Sequence, residues 1–301
     1  MENTVFSGTG VALVTPFRAD GSIDVEDLRK HVEFQIEGGV GVMVPGGTTG
    51  EGATLSSDEQ ALVIRTTVEA TRGRVPVLAG AGGSDTADVV RKALAARQAG
   101  ADGILSVSPA YNKPTQRGLI EHYRAVAGAV DCPVIIYNVP GRTASNVLPE
   151  TVLALAGIEN IVGVKEASGD VEQVMTLIRE RPDGFTILSG DDALTFPLLA
   201  LGADGVISVV ANLAPGLVSQ MVEKALGGDF DGARALHYRL LPLMRALFIE
   251  TNPIPVKAAL EIMGRRRAHF RLPLVRPTSE VEEFLRRALA DAGLLNQEAR
   301  T

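Results

Sequence analysis

The chain has 301 residues, of which 46% are hydrophobic and 22% charged, and this balance excludes a largely disordered polypeptide. Its formal net charge is −7, from 29 basic and 36 acidic side chains without a long block of either sign, so no nucleic-acid partner is expected. No apolar stretch is long enough to span a bilayer, and the first residues lack the basic and apolar regions of a signal peptide. We therefore predict no membrane association and a cytoplasmic location.

Cysteine and histidine give little sign of metal or thiol chemistry. Cys132 is the single cysteine, which excludes an intramolecular disulfide, and its place before Pro133 at a predicted strand start indicates a small buried hydrophobe. The four histidines are scattered without the spacing of metal ligands. No protein-bound metal is expected.

Short β-branched runs alternate with segments of helical period along the first three quarters of the chain. Eight strands are predicted, at 11–15, 42–45, 75–79, 103–107, 134–138, 161–165, 186–189 and 205–209. This alternation predicts an α/β fold, a (β/α)8 TIM barrel over residues 1–226. A doubly wound open sheet is the alternative, but residues 15–17 do not form the glycine fingerprint that usually follows its first strand.

Several helix boundaries carry local signals. Ser57 with Gln60 predicts a capping box, Asp85 a helix N-cap, and Gly100 a C-terminal stop. Strand signals stop near residue 226, and three helical segments follow, at 231–250, 256–263 and 279–292. Residues 227–301 are therefore predicted to form a C-terminal helical extension packed on the barrel.

The sixth predicted strand delivers a lysine, Lys165, to the end of an apolar run, IVGVKEAS. A buried ammonium is unfavourable unless its pKa falls or a partner compensates, and a neutral amine can attack a carbonyl to form a Schiff base. Lys165 is thus a candidate nucleophile. The structural alternative is a strand-end lysine that extends its ammonium to water.

Other polar groups follow neighbouring strands, at the end of a barrel where functional groups lie. The turn GGTTGE, residues 46–51, offers amide and hydroxyl donors suited to a small carboxylate. Tyr111 follows the fourth strand. Tyr137 ends the fifth, beside Lys165, and can move protons there, while Arg142 offers a planar fork to a carboxylate. Taken singly, each is also compatible with an ordinary turn, a packing tyrosine or an exposed arginine.

The seventh strand ends in SGDD, residues 189–192, where many phosphate-handling barrels bind a phosphate. Two acids there disfavour sugar-phosphate isomerases, phosphate-anchored aldolases and pyridoxal phosphate enzymes. Asp191 is predicted to cap the next helix.

Seven motifs, in order and spacing, closely resemble the dihydrodipicolinate synthase family of the N-acetylneuraminate lyase superfamily, the pyruvate-dependent class I aldolases. They are GGTTGE, PAYNKP, YNVPGRT, VKEAS, SGDD, VISV and ETNPIPVKAAL, and the resemblance extends from Gly10 to about Arg271. It implies a lyase that condenses pyruvate with L-aspartate 4-semialdehyde in the diaminopimelate pathway of lysine biosynthesis, which is 4-hydroxy-tetrahydrodipicolinate synthase activity.

The resemblance also implies roles for particular residues in catalysis. Lys165 would form the Schiff base with pyruvate and Tyr137 would shuttle protons. Thr48 would be its hydrogen-bonded relay, and Tyr111 would reach in from an adjacent subunit. Family members are typically homotetramers, dimers of dimers.

In the same way, the resemblance assigns the binding of the two substrates. Thr49 and the backbone around Gly47 would hold the pyruvate carboxylate, and Ile207 would help line the pyruvate site. Arg142 would receive the semialdehyde carboxylate. No cofactor or metal is expected, because the imine itself serves as electron sink.

Two alternatives remain open. One is a sister aldolase for 2-keto-3-deoxy sugar acids or 4-hydroxy-2-oxoglutarate, which would share Lys165 and Tyr137. Arg142 favours a small aldehyde that carries a carboxylate over a polyhydroxylated one. The other is a non-catalytic pyruvate-binding paralogue, whose usual sign is the loss of the lysine or the tyrosine.

Overall fold

The structure, a computed structural model, describes residues 6–295. Its centre is one sheet of eight parallel strands, each delivered by an apolar run that is buried on both faces. The strands are β1 Gly8–Ala12, β2 Val42–Val44, β3 Leu78–Gly80, β4 Gly103–Val107, β5 Val134–Asn138, β6 Ile161–Glu166, β7 Thr186–Ser189 and β8 Gly205–Ser208.

The strand order β2-β1-β8-β7-β6-β5-β4-β3 places β2 and β3 at the two ends of the sheet. An isolated parallel bridge between Met43 and Val77 joins those ends, and the amide of Met43 donates to the Pro76 carbonyl at 3.0 Å. The sheet is thereby closed into a barrel. The (β/α)8 prediction is confirmed.

Two strands differ from their predicted limits. β1 begins and ends three residues earlier than 11–15, because the amide of Val14 donates to the Asn212 side chain at 3.1 Å instead of to a neighbouring strand. β3 begins at Leu78 instead of residue 75, since Pro76 has no amide hydrogen to give to a ladder. The remaining six strands lie within one residue of the prediction at each end.

Between residues 6 and 295, twelve α-helices surround and extend the barrel. They are α1 Val25–Glu37, α2 Ser57–Thr71, α3 Thr86–Gln98, α4 Gln116–Ala129, α5 Pro140–Thr143, α6 Pro149–Leu155, α7 Val171–Glu180, α8 Thr195–Leu201, α9 Pro215–Leu226, α10 Phe230–Ala246, α11 Ile254–Ile262 and α12 Ser279–Asp291. None of the helices within residues 6–295 is long and apolar enough to cross a membrane.

The capping box of α2 is formed by Ser56 and Glu59, so the predicted pair Ser57 and Gln60 was wrong by one position. Ser56 has extended backbone angles, and its hydroxyl accepts from the Glu59 amide while the Glu59 carboxylate accepts from the Ser56 amide. Asp85 caps α3 as predicted, and Gly100 follows that helix with φ +97°. Cys132 is buried, as predicted.

The C-terminal helices share the core of the barrel. Leu240 and Leu243 of α10, Leu260 of α11 and Leu285 of α12 belong to one buried cluster with barrel residues such as Leu188. α10 ends at Ala246 instead of residue 250, and the chain then turns inward so that residues 251–253 reach the mouth of the barrel. Residues 296–301, the end of the predicted extension, lie outside the described residues.

Candidate active site

A cavity of about 800 Å³ opens at the carboxyl ends of the strands. Loops after six strands line it, together with the segment between α10 and α11. Among the predicted site residues, it brings together Gly47, Thr48, Thr49, Tyr137, Arg142 and Lys165. These side chains come from three different βα connections, as expected for a site at this end of a barrel.

Lys165 lies on β6 directly beside Tyr137 on β5, since the two residues are partners in the strand register. Its Nζ is 4.2 Å from the centre of the Tyr137 ring, and the residue is 5% exposed. Gly190, after β7, leaves room for the side chain, because a Cβ at this position would lie 2.9 Å from Cε of Lys165. The lysine side chain is therefore buried in the cavity wall and does not extend along the protein surface.

Burial lowers the pKa of Lys165 to about 8. The buried carboxylate of Asp192 opposes this change, and the positive charge of Arg142 adds to it. With a pKa near 8, roughly one amine in ten is neutral at pH 7. The free amine needed for attack on a carbonyl is therefore present at neutral pH.

Tyr137 is 8% exposed, and burial raises its pKa to about 12. Its phenol thus keeps its proton at neutral pH and can donate that proton to a group at Lys165. The side chain sits where proton transfer at the amine would require a donor.

The loop after β2 presents its hydroxyl groups and amides to the cavity. Thr48 and Gly47 are half-buried, whereas Thr49 is buried and its hydroxyl accepts a hydrogen bond of 2.9 Å from the Asn252 amide. The loop needs its glycines: a Cβ on Gly52 would come within 2.2 Å of the Gly46 carbonyl oxygen. The loop forms a compact turn with neutral donors, a suitable environment for a small carboxylate.

Arg142 lies in α5, the short helix that follows Tyr137, and is exposed at the cavity mouth. Its Nη2 donates to the backbone carbonyl of Asn252 at 3.2 Å. This bond fixes the guanidinium at the rim and leaves other donors for an anionic ligand.

Two predicted site residues do not border this cavity. Tyr111 is 92% exposed, with φ +70°, in the loop after β4. Ile207 is 1% exposed and packs in the core cluster that fills the barrel, while Val209 borders the cavity from the same connection. Asp191 borders the cavity and accepts from the Ala193 amide at 2.9 Å, so it caps the next helix as predicted, a 3-10 turn over residues 192–194 that precedes α8.

Two buried carboxyl groups near the site, those of Asp192 and Glu166, were not identified from the sequence. Asp192 accepts from the Ser208 hydroxyl and two backbone amides, and Glu166 accepts from Asn138, the Ser168 amide and Gln173. Burial raises the pKa of both carboxyl groups.

Lys257 was also missed, although the available signal was the one used for Lys165, a lysine inside an apolar run, here PIPVKAAL. It makes a buried ion pair with Glu51 of the loop after β2. Among residues 6–295 there is no cluster of three or more histidine, cysteine or acidic side chains suited to a metal ion.

Fold and site together define a (β/α)8 barrel that presents a buried, readily deprotonated lysine to a cavity at the carboxyl ends of its strands. A sequence profile of the Dihydrodipicolinate synthetase family matches residues 5–292, and the chain belongs to this family.

Relatives with assigned names agree with this family. The chain is 52% identical over 291 residues to the 4-hydroxy-tetrahydrodipicolinate synthase of Syntrophus aciditrophicus, covering 97% of this chain and 100% of the relative. The chloride-inhibited dihydrodipicolinate synthase of Acinetobacter baumannii, solved with pyruvate, is 44% identical with a TM-score of 0.95, covering 97% of this chain and 100% of the other. A monomeric dihydrodipicolinate synthase variant is 43% identical with a TM-score of 0.95, covering 97% and 98%.

Proposed function

We propose that this chain is a 4-hydroxy-tetrahydrodipicolinate synthase, a lyase that condenses pyruvate with L-aspartate 4-semialdehyde in the diaminopimelate pathway of lysine biosynthesis. The observation that carries the proposal is Lys165, a buried amine whose pKa is near 8 beside a proton-bearing tyrosine. Full-length relatives at about 50% identity with this name support the choice among lysine aldolases.

In the proposed mechanism the neutral amine of Lys165 adds to the pyruvate carbonyl, forming a C–N bond and a carbinolamine. Tyr137 donates the proton with which the carbinolamine hydroxyl leaves as water, giving the imine. The Tyr137 phenolate left by this step takes a proton from the methyl carbon, which gives an enamine, and the enamine carbon attacks the semialdehyde carbonyl. The imine accepts the electron pair released when the methyl carbon loses its proton, so the mechanism calls for no cofactor or metal.

The remaining site residues are proposed to bind and to relay protons. Thr49 and the amide of Gly47 would hold the pyruvate carboxylate, Thr48 would relay protons to Tyr137, and Arg142 would receive the semialdehyde carboxylate. Ile207 would support the pyruvate site from the core beneath it. These assignments are supported by the position of the first four groups around one cavity.

The first test is intact mass spectrometry after incubation with pyruvate and borohydride, followed by a turnover assay with L-aspartate 4-semialdehyde. Wild type is expected to carry one reduced pyruvate adduct and to turn over the semialdehyde. Lys165→Met should carry no adduct. Its matched control is Lys92→Met, since Lys92 is the other lysine of the cavity wall and pairs with Asp88 at 2.9 Å. It should still form the adduct.

The outcomes separate the candidate activities. An adduct with turnover of a polyhydroxylated aldehyde, and not of the semialdehyde, would assign the chain to a sister aldolase. The absence of an adduct on wild type would contradict every Schiff-base function and favour a non-catalytic pyruvate-binding paralogue.

We also propose a homotetramer, a dimer of dimers, in which Tyr111 completes the site of a neighbouring subunit. Tyr111 is 92% exposed in the loop after β4, and tyrosine is a residue type enriched at protein interfaces. Sedimentation velocity at micromolar concentration should give a tetramer, and Tyr111→Ser should shift it toward smaller species. A wild-type monomer with full activity would contradict the assigned role of Tyr111.

A further inference from the structure

Asn252 lies in the segment between α10 and α11, far along the chain from every residue given a catalytic role above. It is 5% exposed, and it borders the cavity beside the loop after β2. Neither the sequence patterns nor the assigned mechanism gives this residue a function.

The residue contacts both proposed carboxylate-binding elements. Its side-chain Nδ2 donates to Oγ1 of Thr49 at 2.9 Å, and its backbone carbonyl accepts from Nη2 of Arg142 at 3.2 Å. The two contacted residues are separated by 93 positions in sequence and lie on different βα connections. Asn252 is therefore a bridge between the pyruvate side and the semialdehyde side of the cavity.

The direction of the Thr49 hydrogen bond has a chemical consequence. A hydroxyl has one hydrogen, and a carboxylate can only accept. Because Thr49 accepts from the Asn252 amide, its own hydrogen is free to be donated to a carboxylate in the cavity. If Asn252 presented an acceptor instead, Thr49 would donate to it and would turn a lone pair toward the substrate.

Within residues 6–295 the side-chain amide of Asn252 makes one hydrogen bond, from Nδ2 to Thr49. Oδ1 of Asn252 is a buried acceptor with no hydrogen-bond partner among residues 6–295. An unsatisfied buried acceptor is unfavourable, so the bond from Nδ2 to Thr49 is the contact within these residues that offsets the burial of the amide.

We propose that Asn252 is a positioning residue that sets Thr49 as a hydrogen-bond donor to the pyruvate carboxylate and holds Arg142 at the rim for the second carboxylate. This inference rests on the proposed function, in that pyruvate is the ligand. Asn252 acts through Thr49 and Arg142 and does not itself take part in bond making.

The test compares Asn252→Asp and Asn252→Ala with wild type, using borohydride trapping of the pyruvate adduct at increasing pyruvate concentration. Loss of one neutral hydrogen bond in Asn252→Ala should raise the half-saturating pyruvate concentration roughly three- to tenfold. Asn252→Asp is isosteric but cannot donate, and it adds a charge beside a carboxylate, so its increase should be about 10- to 100-fold. The adduct formed at saturating pyruvate should be retained in both.

A double-mutant cycle with Thr49→Ala separates positioning from a general structural effect. In the Thr49→Ala background, Asn252→Ala should cause little further change in half-saturating pyruvate, because the hydroxyl that it orients is gone. Since side-chain substitution leaves the Asn252 carbonyl in place, the KM for semialdehyde should change less than that for pyruvate.

The control is Asn160→Ala, which removes an amide that bonds three carbonyls near the start of β6, remote from the cavity wall. It should leave half-saturating pyruvate unchanged. The proposal is overturned if a folded Asn252 variant binds pyruvate as wild type does. It is also overturned if Asn252→Ala raises the half-saturating pyruvate concentration by the same factor with and without Thr49→Ala. If Asn252→Ala does not fold, the isosteric Asp variant decides. A wild type that forms no adduct instead contradicts the proposed function, which is a different result.

Discussion

Lys165→Met is expected to abolish the trapped pyruvate adduct and to lower turnover by at least about 10⁴-fold, because the covalent route is removed as a whole. The same substitution should make the folded protein more stable at pH 7. Methionine fits a buried position without a charge, whereas the lysine is held in a cavity wall where its ammonium is poorly solvated.

The pH dependence of this stability difference follows from the lysine pKa. Burial lowers this pKa to about 8 in the folded chain, against 10.5 for an ordinary exposed lysine. Below pH 8 both states carry the proton, and the folded state bears the full cost of a buried charge, at most about 3 kcal/mol. Between about pH 8 and 10.5 the unfolded chain binds more protons, so wild-type stability rises with pH.

Urea unfolding of wild type and Lys165→Met across this pH range, at one fixed protein concentration, measures the effect. The variant should be the more stable protein below pH 8, and the difference should disappear above about pH 10.5. A variant that is less stable than wild type at pH 7 would show that burial of the Lys165 ammonium does not destabilise the folded chain.

Lys257→Met is expected to destabilise the fold by about 3–5 kcal/mol, because it leaves the Glu51 carboxylate buried without its partner. The side chains of Lys257 and Glu51 are 2% and 0% exposed, and the ammonium also lies 4.4 Å from the centre of the Phe17 ring. Burial lowers the pKa of Lys257, although Glu51 opposes that change.

The matched control is the exposed pair of Arg29 and Glu69, at 2.9 Å with side chains 40% and 50% exposed. Removing that pair with Arg29→Met should cost less than about 1 kcal/mol. Both variants are compared by urea unfolding. The double variant Glu51→Gln with Lys257→Met should recover part of the loss, since no unpaired charge remains. An equal loss of unfolding free energy in the two single variants would show that the buried ion pair of Lys257 stabilises the fold no more than the exposed pair does.

The fold and much of the cavity could be predicted because both depend on local pattern. A parallel strand buried on both faces leaves a continuous apolar run in the sequence. Residues at the carboxyl ends of such strands must share one rim, so the sequence alone predicts that Tyr137 and Lys165 lie side by side. Resemblance supplied the roles that pattern alone left open, such as those of Thr48 and Thr49.

The residues that were missed depend on contacts between distant parts of the chain. Asn252 shows no periodicity or motif of its own that marks it as a partner of Thr49, and an asparagine before proline is common in ordinary turns. The capping box was displaced by one residue because Ser56 and Ser57 are adjacent and only the backbone angles at Ser56 distinguish them. Strand limits such as that of β1 changed where the Asn212 side chain takes the place of a neighbouring strand.

The loop that follows β2 is held by Asn252 and Lys257, which come 203 and 206 residues after their partners. During synthesis on the ribosome, all eight strands have been made by Ser208, whereas both anchors are still to be added. A nascent chain can therefore contain all the strands of its sheet, including β6 with Lys165, while the loop after β2 still lacks its contacts with Asn252 and Lys257. In this architecture the contacts that hold one wall of the cavity are completed late in synthesis, after α11 has been made, and a shorter chain has its amine without that wall fixed in place.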